Sequence, residues 1–313
     1  MIDSSDLIAE LTRRGVSRVA LQAPEGLKRR LADLAHILTD AGFSLIISGD
    51  PCYGACDLDT GALAEADILV HLGHAPVDNT DRVIYDVYRM DADPGVIRNA
   101  LAHLTEKRVG LVTTVQHVHL IPDLVTVLGE SGIQAMVGEG SDRTPNPGQI
   151  LGCSFEAARN TGCPEILYFG TGVFHPLGVS LATGARVVAC DPYTGTCQLV
   201  DAERLLRRRF ALIERARTAR QIGILVSPKS GQARRDLADR LVSLSPAAVI
   251  ILMREVTPDQ LLNLGFPCYV NTACPRLAFD DQVRWPVPVL TPQEYEILCG
   301  HRTFDAYEVD EIR

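Results

Sequence analysis

Two stretches decide the fold, "LQAPEGLKRRLADLAHIL" (21–38) and "LVSPKSGQARRDLADRLVSL" (225–244). In each, an apolar run ends at a proline and a helical pattern carrying Arg-Arg and Leu-Ala-Asp follows. In the first, Leu27, Leu31, Leu34, Ala35 and Leu38 fall at helical spacing and form one stripe, with Pro24 suited to the first turn and Gly42 just past the end. Such a stripe must be buried against a second layer. The runs that follow, "FSLIIS" (43–48) and "ADILVHLG" (66–73), are almost continuously apolar, the pattern of parallel strands covered on both faces.

The scheme occurs three times. "SRVALQAP" (17–24), "KRVGLVTT" (107–114) and "RQIGILVSP" (220–228) each open a strand–helix–strand unit, with starts roughly 90 to 110 residues apart. That period is far beyond the roughly 20 to 50 residues of solenoid repeats and points to triplication at domain scale. The middle unit continues through a helix around Leu124 to Leu128, "QAMVG" (134–138) and "EILYFG" (165–170). The last runs through a helix from about Gly231 to Leu244, "AAVIILM" (247–253) and "PCYVNT" (267–272). The expected fold is α/β, three similar small domains with parallel sheets, over 1–104, 105–216 and 217–313. Packing around a pseudo-threefold axis is expected to bring their loops together.

At 313 residues, 46% apolar and 22% charged, the chain can bury sizeable cores. No apolar run approaches the roughly 20 residues that span a bilayer, and "MIDSSDLIAELTRRG" (1–15) is amphipathic and acidic, unlike a signal peptide. A cytoplasmic protein without membrane contact is expected. A net charge of −9 argues against a broad phosphate-binding surface, so direct nucleic-acid binding is not expected. The basic run "RLLRRRF" (204–210) reads as a solvated helix face. "GTG" (170–172) is too short for a dinucleotide fingerprint and no Walker lysine pattern occurs, which leaves ATP and NAD without support.

Ligands of such sheets sit at the carboxyl ends of the strands, and the cysteines cluster there, in "GDPCYGACD" (49–57), "LGCS" (151–154), "CDPYTGTC" (190–197) and "NTACPR" (271–276). Nine cysteines, an odd number, cannot pair completely, and a reducing compartment favours thiols or metal ligands over disulfides. Cys52 and Cys56 are spaced C-x3-C, which is neither the thioredoxin-like nor the usual zinc-knuckle spacing. Each cysteine taken alone reads first as a small buried hydrophobe, as intracellular cysteines usually are. Together, three loops offering a thiol each could hold three irons of a [4Fe-4S] cluster and leave the fourth open to substrate.

"GDPCYGACD", "ILGCS" (150–154) and "NTACPRLAFDD" (271–281) resemble the three cysteine motifs of the archaeal-type diphthamide synthases of the first pathway step, the 2-(3-amino-3-carboxypropyl)histidine synthases. The resemblance covers essentially the whole chain. It implies an atypical radical S-adenosylmethionine enzyme with one [4Fe-4S] cluster, ligated by Cys56, Cys153 and Cys274, one per domain. It further implies cleavage of the bond between sulfur and the methionine γ-carbon, and transfer of the 3-amino-3-carboxypropyl group to the imidazole C2 of a histidine on translation elongation factor 2. A homodimer and an external electron donor are implied as well. Cys52 is a neighbour in the same loop, and Cys163, Cys190, Cys197, Cys268 and Cys299 match no ligand motif.

The zwitterionic methionine end needs a cation for its carboxylate. Arg276, two residues after Cys274, is the first candidate, followed by Lys229 and Gln232 in "SPKSGQ" (227–232). Arg276 could instead pair with Asp280 or Asp281, and Lys229 could be solvated. His74 in "HLGHAP" (71–76) and His175 in "FGTGVFHP" (169–176) could touch ligand or be structural, and the glycines there would let backbone approach a nucleoside. Two other readings fit one thiol per domain: a quinolinate synthase-like dehydratase, and a non-enzymatic protein whose metal staples three domains.

Overall fold

Strands form where the apolar runs lie. In the computed structural model, which describes residues 2–77 and 80–312, the first sheet contains β1 (Arg18–Gln22), β2 (Ser44–Ile47), β3 (Ile68–Leu72) and β4 (Val83–Asp86), all parallel, in the order β2-β1-β3-β4. The second contains β5 (Arg108–Thr113), β6 (Gln134–Met136), β7 (Glu165–Phe169), β8 (Arg186–Cys190) and β9 (Cys197–Leu199), in the order β6-β5-β7-β8-β9. The third contains β10 (Ile222–Val226), β11 (Ala248–Leu252), β12 (Tyr269–Asn271) and β13 (Val289–Leu290), in the order β11-β10-β12-β13. One order recurs three times: the first strand of each sheet lies between its second and third, and the fourth lies beyond the third. The only antiparallel pairing among these strands is that of β8 with β9, an addition at one sheet edge.

By compactness the chain divides in two. One unit comprises Met1–Asp91 with the short segments Val115–His119 and Lys229–Gly231; the other comprises the remainder and holds the second and third sheets.

In the first unit the helix Lys28–Asp40 buries Leu31 and Leu38 against Val19, Leu21 and Val70 of the sheet, while Leu27, Leu34 and Ala35 pack at the margin. Gly42 closes this helix at φ +96°, a backbone region that favours glycine. "ADILVHLG" is buried along all of β3, as its continuous apolar run predicts. "FSLIIS" is not covered on both faces. Its strand β2 is the sheet edge, where its ends stay exposed and Ile47 keeps 46% of its surface in water.

In the second unit one core gathers Val112, Phe155, Tyr168 and Val187 around the second sheet, and another gathers Ile213, Ile224, Leu241 and Val270 around the third. The helix Ala202–Ala216 carries the basic run, and it corrects the expectation of a wholly solvated face. Arg204, Arg207 and Arg208 are exposed, but Arg209 is 1% exposed and donates to the Glu294 carboxylate and to the carbonyls of Ala278 and Val289. Four fixed acceptors make this buried guanidinium affordable. Among the described residues no helix is long and apolar enough to cross a membrane.

Candidate functional site

Each candidate thiol sits on the connection between a strand and a helix. Cys56 lies between β2 and the helix Thr60–Ala64, Cys153 between β6 and the helix Glu156–Arg159, and Cys274 between β12 and the helix Arg276–Phe279. All three are half-buried. Cys56 and Cys153 thus follow the second strand of their sheets, whereas Cys274 follows the third strand of its own.

Local hydrogen bonds shape each loop. Leu151 and Ser154 exchange both backbone bonds, 2.9 and 3.1 Å, so Gly152 and Cys153 form the tip of a tight turn. The turn is pinned from outside: the Ile312 N–H donates to the Cys153 carbonyl at 2.9 Å, the Phe155 N–H donates to the Glu311 carboxylate at 2.9 Å, and Arg159 pairs with the same carboxylate. Asp310 in turn receives the Arg234 guanidinium at 2.8 Å. Asn271 fixes the third loop, its amide donating to the Cys274 carbonyl at 2.8 Å while its oxygen accepts from the Ala273 N–H at 3.0 Å.

The first loop is closely packed. A Cβ built on Gly231 would stand 2.5 Å from both the Cα and Cβ of Cys56, so only glycine lets the segment Lys229–Gly231 lie against this cysteine. The neighbouring Lys229 and Asp57 are both buried and ion-paired at 2.9 Å, and the Lys229 ammonium stands 5.1 Å over the Tyr53 ring. Lys229 is therefore not solvated.

Beside this pair runs a polar network built from the carboxyl ends of β1 and β3. The Gln22 amide donates to the Asp57 carbonyl at 2.8 Å, and its oxygen accepts from the Asp59 N–H at 3.2 Å and faces Nδ1 of His71 at 3.0 Å. His71 Nε2 faces Nδ1 of His74 at 2.9 Å. Because the Gln22 oxygen can only accept, His71 carries its proton on Nδ1, and its bare Nε2 accepts from His74 Nδ1–H. Burial holds both rings neutral, with pKa values lowered to about 3 for His71 and about 4 for His74. Cys52 lies beside them, and its sulfur and the two imidazoles offer donor atoms within 4.8 Å of one another, a set able to hold a metal ion. Burial pushes the Cys52 thiol up to about 12.

Arg276 is 64% exposed, pairs with Asp280 at 2.8 Å and stacks 5.7 Å from the Phe174 ring. Gln232 is buried. His175 stacks on Tyr168 at 6.2 Å and is held neutral by burial, with its pKa lowered to about 4. Cys163, Cys190 and Cys268 are buried, and desolvation raises the thiol pKa of Cys268 to about 12 and also raises those of Cys190, Cys197 and Cys299. Sequence reasoning missed Gln22, His71, Asp57 and Asp59. For Gln22 and His71 the available signal was position at the carboxyl ends of β1 and β3; Asp57 and Asp59 lie in the connection after β2.

The family model described as "Putative diphthamide synthesis protein" matches residues 23–309. The chain belongs to the diphthamide synthesis family. Within it, this chain is 38% identical to the 2-(3-amino-3-carboxypropyl)histidine synthase of Pyrococcus horikoshii, over 99% of this chain and 93% of that one. It is 29% identical to subunit 1 of the Schizosaccharomyces pombe synthase, over 90% of this chain and 69% of that one. The crystal structure of P. horikoshii Dph2 with a 4Fe-4S cluster superposes with a TM-score of 0.93 at 36% identity, covering 100% of this chain and 94% of that one. This diphthamide-family chain therefore shares its three-sheet α/β architecture with a cluster-binding relative.

Proposed function

We propose that this chain is a 2-(3-amino-3-carboxypropyl)histidine synthase that modifies a histidine of translation elongation factor 2, using a [4Fe-4S] cluster ligated by Cys56, Cys153 and Cys274. The observation that carries the reading is the placement of one half-buried thiol in a strand-to-helix loop of each of three like-ordered sheets. Three thiols, one from each loop, suit a cluster with one open iron. The name of the P. horikoshii relative and the cluster in its structure support the assignment. In this reading the domains are 1–104, 105–216 and 217–313, each contributing one ligand, and the working unit is a homodimer served by an external electron donor in the cytoplasm.

When bound and reduced, the cluster supplies the electron that cleaves S-adenosylmethionine between sulfur and the γ-carbon. The chain's own task is positioning, because which of the three sulfonium bonds breaks depends on which one faces the open site. Arg276, Lys229 and Gln232 are the proposed contacts to the methionine end. The Arg276 guanidinium is exposed two residues from Cys274, and Lys229 stands in the segment that packs on Cys56. Asp57 pairs with the Lys229 ammonium at 2.9 Å and holds it beside the Cys56 loop. Either cation can satisfy the substrate carboxylate.

Anaerobic reconstitution, followed by dithionite, S-adenosylmethionine and elongation factor 2, tests the proposal. The expected products are 5′-methylthioadenosine and an aminocarboxypropylated histidine, seen by mass analysis. Cys→Ala changes at 56, 153 and 274 should each abolish the cluster absorption. Formation of quinolinate from iminoaspartate and dihydroxyacetone phosphate would overturn the proposal in favour of a dehydratase, and a cluster that survives all three changes would overturn the ligand set.

A further inference from the structure

We propose that Cys190 and Cys197 form an oxidant-responsive dithiol, a modification site at which a peroxide joins strands β8 and β9 through a disulfide. Neither residue belongs to the motifs used above. They are directly opposite one another in the β8–β9 ladder, and their sulfurs stand 2.6 Å apart. That is well inside the ~3.5–4 Å of ordinary non-bonded contact. It is also too close for two thiolates sharing a tetrahedral zinc, whose ~2.3 Å bonds would hold the sulfurs ~3.8 Å apart. The arrangement suits a covalent bond between the sulfurs.

The backbone explains the approach. Ladder hydrogen bonds join Asp191 N–H to the Thr196 carbonyl on one side of the pair and Val200 N–H to the Val187 carbonyl on the other, both at 2.9 Å. With partners alternating along the ladder, Cys190 and Cys197 fall at a non-hydrogen-bonded position, where facing side chains come closest. The connecting loop is fixed: Asp191 Oδ1 accepts from the N–H groups of Tyr193 and Thr194, Gly195 adopts φ +69°, and its carbonyl accepts from the Asn99 amide at 2.9 Å. Little ordering remains to be done when the bond forms.

The two thiols differ in access. Cys190 is fully buried, with its S–H directed at the Val96 carbonyl, whereas Cys197 is half-buried on the edge strand. Cys197 is therefore the first to react. Its thiolate attacks one peroxide oxygen and the O–O bond breaks. This leaves a sulfenic acid, and the departing hydroxide leaves as water with the thiol proton. The Cys190 sulfur then displaces the sulfenic oxygen, the S–S bond forms, and a second water departs with the remaining proton. Two electrons pass from two thiols to one peroxide.

The test uses the full chain, reduced and then treated with hydrogen peroxide, with remaining thiols alkylated under denaturing conditions. Trypsin leaves both cysteines in one peptide, residues 187–204, and chymotryptic cleavage after Tyr193 splits it between them. The expected result is two fragments that stay joined until a reductant is added. Oxidation should also raise the thermal midpoint of the wild type but not of Cys197→Ser. Full alkylation of Cys190 and Cys197 after peroxide, or a link from either to another cysteine, would overturn the proposal. The readout is a peptide mass, so it holds whether or not the protein carries iron or turns over S-adenosylmethionine.

Discussion

Arg276→Ala separates positioning from cluster assembly, because the arginine is no thiol and its neighbour Cys274 is a proposed ligand. Iron content should be retained, while S-adenosylmethionine binding should weaken by about 1.5–3 kcal/mol, the loss of a charge-assisted contact. Methylthioadenosine formation should fall at least in proportion; unchanged turnover would reduce the arginine to the partner of Asp280 that it already is. Lys229 makes a different case. Lys229→Met removes the cation beside a buried carboxylate and should cost about 3–5 kcal/mol of stability, read from urea denaturation. The double variant Lys229→Met/Asp57→Asn should recover part of that loss. If the single and double variants are equally unstable, the pair is not the source.

At the level of elements, the contact of the segment Lys229–Gly231 with the Cys56 loop is a joint sensitive to a single methyl. Gly231→Ala would force a Cβ to within 2.5 Å of the Cys56 backbone, which cannot yield as a side-chain tip can. Reconstituted iron should drop several-fold while the circular-dichroism spectrum stays that of the wild type; normal iron loading would show that the loop has slack. The strands and helices that carry this joint were legible in the sequence, because apolar runs ending at Pro24 and Pro228 announce a strand followed by a turn into a helix. The cysteine motifs were legible for the same reason, since "GDPCYGACD" and "NTACPR" follow such runs. Hydrophobic pattern says how much of a strand is apolar, not whether a neighbour flanks it, so β2 was misread as doubly covered. Arg209 was misread because its partner Glu294 lies 85 positions away. The strand β13, two residues long, is too short to show a period. Strand ends mark Gln22 and His71 singly, but their union with Asp57 in one network was not legible, because no local spacing marks residues that meet only when parallel strands align.

For the molecule as a whole, that network sets an acid limit. His71 and His74 are neutral when folded, with pKa values lowered to about 3 and about 4, against 6.5 in an unfolded chain. Their contribution to stability is complete above pH 6.5 and is lost as the pH falls towards those folded values, because only the unfolded chain takes up the protons. Each should remove ~1.4 kcal/mol per pH unit across that window. The urea midpoint should therefore begin to fall near pH 6.5, above the range in which carboxylates titrate, and its slope should be shallower in His71→Gln. An equal slope in the variant would assign the acid sensitivity elsewhere. The pinning of the Cys153 turn by residues 310–312 has a consequence of another kind. Its Phe155–Glu311 and Arg159–Glu311 contacts span 156 and 152 positions. At 5–20 residues per second, about eight to thirty seconds of translation separate the turn from the residues that fasten it. During that interval the nascent chain presents the Cys153 thiol on an unclamped loop, so the ribosome-bound protein should be more open to thiol reagents at this position than the finished one.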